Sequence, residues 1–203
     1  MSYIRFFHGC TEFDAVDIFV GGMAVSRGLQ FGDYTPHFLL SEGMTVIRVE
    51  ENGQTRLQNH VIVPRNQAYT LMLVCRRGYP ELLAIAEEGA GLTEGSGVRI
   101  AMFAGTEAAT DDNKPILDMW HRYEEKEELL FSEVQPGDLT EYVQLESGEH
   151  MWQARNEAIG TLAMLPGQRA EEKKCYTLYV IGRMDPEEDD KPLCMRLLQD
   201  VNG

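Results

Sequence analysis

Apolar and polar residues alternate in short stretches along the whole chain, and Gly, Pro and Asn gather between the stretches. In the first 88 residues this pattern predicts strands over 3–8, 15–20, 23–29, 34–40, 44–49, 56–63, 69–75 and 81–86. The breaks are Gly21-Gly22, Phe31-Gly32-Asp33, Ser41-Glu42-Gly43, Glu51-Asn52-Gly53, Pro64-Arg65-Asn66 and Gly78-Tyr79-Pro80. Thr45, Ile47 and Val49 share one parity and are expected to face a core, with Arg48 facing water. Tyr69 to Cys75 is apolar at both parities, as in a central strand covered on both faces. Short strands at such spacing predict an all-β sandwich or barrel.

The pattern then repeats. Tyr69-Thr70-Leu71-Met72-Leu73-Val74-Cys75-Arg76 matches Tyr176-Thr177-Leu178-Tyr179-Val180-Ile181-Gly182-Arg183. Gly32-Asp33-Tyr34-Thr35 matches Gly137-Asp138-Leu139-Thr140, and the match runs without a gap to Leu40-Ser41-Glu42-Gly43 against Leu145-Glu146-Ser147-Gly148. Ile4-Arg5-Phe6 pairs with Val98-Arg99-Ile100, Thr11-Glu12 with Thr106-Glu107, and Val63-Pro64 with Leu165-Pro166. Val16-Asp17-Ile18-Phe19 pairs with Leu117-Asp118-Met119-Trp120, and Thr45 to Val49 with His150 to Ala154, which puts Trp152 at the inward position of Ile47. All matches keep one order while their offset drifts upward, as insertions in turns produce. The chain is therefore expected to be a tandem duplication: a first sandwich over 1–88, a Gly/Glu-rich linker over 89–97, and a second, diverged and more acidic sandwich over 98–203. One stretch, Tyr123 to Leu130, has helical composition; its alignment with the Gly21-Gly22 hairpin predicts a charged, elongated turn instead.

Charge narrows the partners. Residues 1–93 hold seven Arg, no Lys and ten acidic residues, against eleven basic and twenty-three acidic in 94–203, for a net charge of −15. Such a surface repels phosphate backbones and excludes nucleic acid as an expected partner. No apolar run reaches the length of a membrane-spanning helix, so no membrane insertion is expected. The opening residues read as a first strand rather than a secretion signal, and the four cysteines (Cys10, Cys75, Cys175, Cys194) lie far apart. Together these predict free thiols in a cytoplasmic protein.

The opening of the first copy, Ile4-Arg5-Phe6-Phe7-His8-Gly9-Cys10-Thr11-Glu12-Phe13-Asp14-Ala15-Val16-Asp17-Ile18-Phe19-Val20, resembles a bacterial domain family of unknown function, DUF4397. Its members typically open on a hydrophobic strand followed by His-Ala-Ser-Pro-Asp-Ala-Pro-Ala-Val-Asp-Val-Tyr-Val. Phe31-Gly32, the spacing Leu40, Gly43, Ile47, Val49 and the Tyr69-Thr70 strand fit as well. The resemblance implies an immunoglobulin-like β-sandwich in each copy and implies no activity. The family's Ser-Pro is replaced here by Cys10-Thr11, and Met102 or Phe103 stands where the first copy has His8. Many relatives are secreted or surface-attached, and short relatives of spore formers add a spore-associated location as an alternative to the cytoplasm.

Candidate chemistry is sparse. His8, Asp14 and Asp17 combine an imidazole with two carboxylates, the donor types of a metal site or an acid–base pair. The plainer expectation is that His8 hydrogen-bonds a turn and Asp14 caps a loop, leaving no assigned metal or catalytic residue. Asp17 and Asp118, set in apolar strands, are expected to face solvent or accept backbone hydrogen bonds. Asp111-Asp112-Asn113 and Asp185 to Asp190 are acidic loops with oxygen ligands for calcium but without the EF-hand spacing. Trp120, Tyr123 and Tyr142, with Trp152, are candidates for a ligand or interface surface; packing is the competing reading. His121 has no second His at local zinc-site spacing, and no nucleophile elbow, phosphate loop or dinucleotide fingerprint occurs. The sequence thus points to a non-catalytic structural or protein-interaction protein of a bacterium, needing no cofactor and engaging a protein partner or itself. The alternatives are a loop-based module for a glycan or a divalent cation and, behind it, an unrecognised hydrolase centred on His8.

Overall fold

A computed structural model of the chain describes residues 1–76, 78–104, 116–184 and 191–201. All regular structure in them is β, and the chain divides into two compact units, Met1–Glu88 and Gly89–Gly203.

In the first unit the strands are β1 (Ser2–His8), β2 (Ala15–Val20), β3 (Met23–Gln30), β4 (Phe38–Leu40), β5 (Gly43–Glu51), β6 (Gln54–Val63), β7 (Ala68–Arg76) and β8 (Tyr79–Ala86). They form two four-stranded sheets in the orders β4-β1-β7-β8 and β3-β2-β5-β6. Alternation then builds the core. Ile4 and Phe6 from β1 and Leu71 and Leu73 from β7 meet Val16 and Ile18 from β2 and Ile47 and Val49 from β5. The inward placing of Ile47 and Val49 and the two-sided burial of β7 agree with the sequence pattern. The expected strand over 34–40 is shorter, Phe38–Leu40, because Pro36 has no amide to give and Tyr34 joins only by an isolated bridge to Phe7.

The second unit repeats this plan with β9 (Ser96–Met102), β10 (Leu117–Tyr123), β11 (Lys126–Val134), β12 (Val143–Leu145), β13 (Gly148–Asn156), β14 (Gly160–Ala170), β15 (Cys175–Ile181) and β16 (Cys194–Gln199). The sheet orders are β12-β9-β15-β16 and β11-β10-β13-β14. Each unit is an immunoglobulin-like β-sandwich in which the first strand lies parallel to the seventh: His8 pairs with Leu73, and Met102 with Val180. That register identifies Met102 as the counterpart of His8. The loop hydrogen bonds repeat too. Thr35 and Thr140 accept from Phe6 and Ile100 at 2.9 Å each, and Gly32 and Gly137 donate to the carbonyls of His8 and Met102 at 2.7 Å each.

Two expectations are corrected. Tyr123 to Leu130 is no elongated turn: β10 and β11 continue through it, and the reversal is confined to Glu124-Glu125, with Glu124 at φ 53°. The cysteines are not all free, since Cys10 and Cys75 form a disulfide with Cα atoms 5.0 Å apart, while Cys175 and Cys194 are unbridged. Parallel pairing of β1 with β7 carries two residues 65 apart in sequence to the same end of one sheet. The Gly-rich stretch after the first unit is partly built into the second, where Ser96 and Gly97 open β9 and are buried.

Candidate functional sites

The sequence-derived trio of His8, Asp14 and Asp17 is spent on local structure. His8 is wholly buried at the end of β1, its Nδ1 accepts the amide of Cys10 at 3.3 Å, and its ring meets Phe31 edge-on. Asp14 is exposed in the loop before β2, and its carbonyl accepts the amide of Phe31. Asp17 accepts the amide of Gly28 at 2.8 Å and the guanidinium of Arg27 at 3.0 Å. Its counterpart Asp118 accepts the amide of Glu133 at 3.0 Å. Both acceptors lie where the hairpin register shifts, and the donors Gly28 (φ 62°) and Glu133 (φ 54°) both have left-handed backbones. The shared Asp therefore braces a β-bulge in each copy. No group of three or more His, Cys, Asp or Glu is disposed to hold a metal among the described residues. The acidic runs Asp111-Asp112-Asn113 and Asp185 to Asp190 lie outside those residues, as does the Thr106-Glu107 match.

The aromatic candidates are not brought together. Trp120 is half-buried under the Arg155 guanidinium, 4.7 Å from the ring centre. Tyr123 faces the opposite side of the same strand and stacks on His150 with 4.9 Å between centroids. Tyr142 belongs to a buried polar cluster instead: it donates to Asp200 at 2.6 Å, with Arg99 4.6 Å from its ring centre. Burial and the neighbouring carboxylate push this phenol far up, so it remains a donor.

That cluster recurs in both units, and sequence reasoning missed it although the Arg and Thr already stood in the aligned segments. In the first unit Arg5 Nε donates to Thr70 Oγ1 at 2.7 Å, Thr70 donates to Glu87 at 2.8 Å, and His37 lies 3.1 Å from both Glu87 oxygens. In the second, Arg99 Nε donates to Thr177 Oγ1 at 3.0 Å, Thr177 donates to Asp200 at 2.9 Å, and Tyr142 replaces His37. Each buried arginine pairs with a buried carboxylate, Arg5 with Glu87 at 3.2 Å and Arg99 with Asp200 at 3.9 Å, and shares with it a threonine hydroxyl on the neighbouring strand, which satisfies charges that would otherwise be costly to bury.

The copies also differ in the core beside β10 and β13. In the second unit His121 and His150 face each other across β10 and β13, Nε2 to Nδ1 at 2.5 Å, beside the fully buried Trp152. His150 Nε2 donates to the carbonyl of Glu146 at 2.9 Å, so its Nδ1 accepts from His121, whose own Nδ1 faces Glu128 at 3.5 Å. Burial holds both imidazoles below their ordinary range; Glu128 acts the other way on His121. The local spacing of His121 hid this pair, because its partner is 29 residues away. The visible signal was alternation, which puts His150 inward with Trp152. In the first unit the corresponding positions are Val20, Thr45 and Ile47, of which Ile47 borders a cavity. This apolar cavity of about 180 Å³, partly open to solvent beside edge strand β6, is lined by Ile4, Ile47, Ile62, Tyr69, Leu71 and Ala84 among others.

A duplicated β-sandwich with its shared polar residues turned to internal bracing defines a tandem immunoglobulin-like module. The model of the family described as domain of unknown function DUF4397 matches residues 2–109, and the chain belongs to that family. No curated protein matches the sequence. No helix among the described residues is long and apolar enough to cross a membrane.

Proposed function

We propose that this chain is a non-catalytic structural or protein-interaction protein. The observation that carries this reading is the use of the residues common to both copies. Arg5/Arg99, Thr70/Thr177, Asp17/Asp118 and Thr35/Thr140 all bind groups of their own unit. What duplication preserved is bracing for a scaffold. Contacts with a partner fall to the long edge strands β6 and β14, whose equivalent residues Ile62 and Met164 are 78% and 54% exposed. Met44 stands beside Ile62 in register and is also exposed. Edge strands with unpaired backbone groups and apolar side chains favour strand addition by a second copy or another protein. The Cys10–Cys75 bridge favours an oxidising compartment over the reducing cytoplasm expected from the sequence.

Light scattering after size-exclusion, with capture of partners from the native host, tests the reading. Association with itself or a captured protein is expected, weakened in Ile62→Lys and Met164→Lys. A strict monomer that captures nothing overturns it.

A further inference from the structure

The two copies serve as controls for each other around the apolar cavity of the first unit. Each lining position has a counterpart in the second unit through the shared strand registers. Ile47 pairs with Val20 on β2 as Trp152 pairs with His121 on β10. Ala84 pairs with Leu71 as Leu197 pairs with Leu178. Where the first unit has Ile47 and Ala84 and a hole of about 180 Å³, the second has the buried indole of Trp152, with Leu197 packed on its core. Edge strands β14 and β16 also approach each other along more of their length than β6 and β8 do. At the position of Ile47 the second copy thus carries a much larger, fully buried ring.

We propose that the first unit binds a small uncharged aromatic molecule, of the size of an indole or a single benzene ring, in this cavity. The occupant is fixed by three observations. The lining is apolar apart from Tyr69, which excludes charged and strongly polar ligands, since a buried polar group without a partner is costly. The volume is of the order of the roughly 150 Å³ cavity that takes up benzene in a protein core. The ring class is given by the second copy, in which an indole packs against the equivalent strands. The walls come from strands of both sheets and include Val61, Ile62 and Val63 of β6, so the site adjoins the edge proposed above for partners.

The test titrates the full, disulfide-intact chain with indole and with benzene, following methyl NMR resonances. Expected is saturable movement of the Ile4, Ile47 and Leu71 methyls at a dissociation constant of roughly 0.1–1 mM. Val98, Leu178 and Leu197 in the second unit stay still. Ile47→Trp, which grafts the second copy's residue, is expected to weaken binding at least about tenfold. Ala84→Leu, a smaller change on an edge strand, does the same and keeps the result readable should Ile47→Trp misfold. Absence of saturable shifts with either compound overturns the proposal, as does equal binding by folded Ala84→Leu. Shifts of the same methyls on raising protein concentration without ligand would assign the cavity to a ring from a second copy, and would also overturn it.

Discussion

Asp17 and Asp118 look in sequence like misplaced charges inside apolar strands. In the fold each carboxylate holds a backbone amide at its bulged hairpin. The two bulges are not equally easy to form. Gly28 takes the left-handed backbone without a Cβ to strain it, whereas Glu133 takes it with a full side chain. Glu133→Gly is therefore expected to stabilise the second unit by about 1 kcal/mol, and Gly28→Ala to destabilise the first by a similar amount. Urea unfolding curves compare the midpoints; Glu133→Gly lowering the midpoint would contradict the bulge assignment. The sequence showed that these aspartates were equivalent and limited them to solvent or backbone. The bulge itself depends on which residue of the partner strand is skipped, and that is set by pairing rather than by composition.

At the scale of elements, pairing of β10 with β13 decides the chemistry of the second core. His121 and His150 are unremarkable apart, and become a hydrogen-bonded pair because antiparallel register sets them diagonally on one inward face. Both rings are held below the usual imidazole range by burial. The unfolded chain therefore binds more protons than the folded one as pH falls through about 6.5. The contribution to stability is complete above that pH and is lost progressively below it. The melting temperature of the second unit is expected to drop between about pH 7.5 and about pH 5. The double variant His121→Val with His150→Thr, carrying the first copy's residues, should flatten that slope; an unchanged slope would clear the pair of responsibility. The strands themselves were largely legible, because alternation and turn residues are local signals. The exceptions have local causes as well: Pro36 shortens β4, and a run of glutamates disguises the tight β10–β11 reversal.

Across the whole molecule the disulfide separates the units. Cys10 and Cys75 close a loop over most of Met1–Glu88, whereas the second unit has Ala104 and Gly182 in their places. A side chain at Gly182, whose φ is 95°, would run into the Pro192 carbonyl, so the second copy cannot carry the bridge without rearrangement. Reduction is expected to cost the first unit about 2–4 kcal/mol. Hydrogen exchange with and without reductant should show protection falling more in Met1–Glu88 than in Gly89–Gly203; equal loss in both would deny the bridge its local role. The sequence by itself determined the duplication, the all-β class and most strand positions, because these follow from short-range alternation and from matches in one order along the chain. Only the tertiary structure decided the disulfide, the paired histidines, the Arg–Thr–carboxylate clusters and the apolar cavity of the first unit. Each joins residues about 15 to over 100 positions apart that share a strand pair or a core face, and no local pattern encodes which distant strand lies alongside.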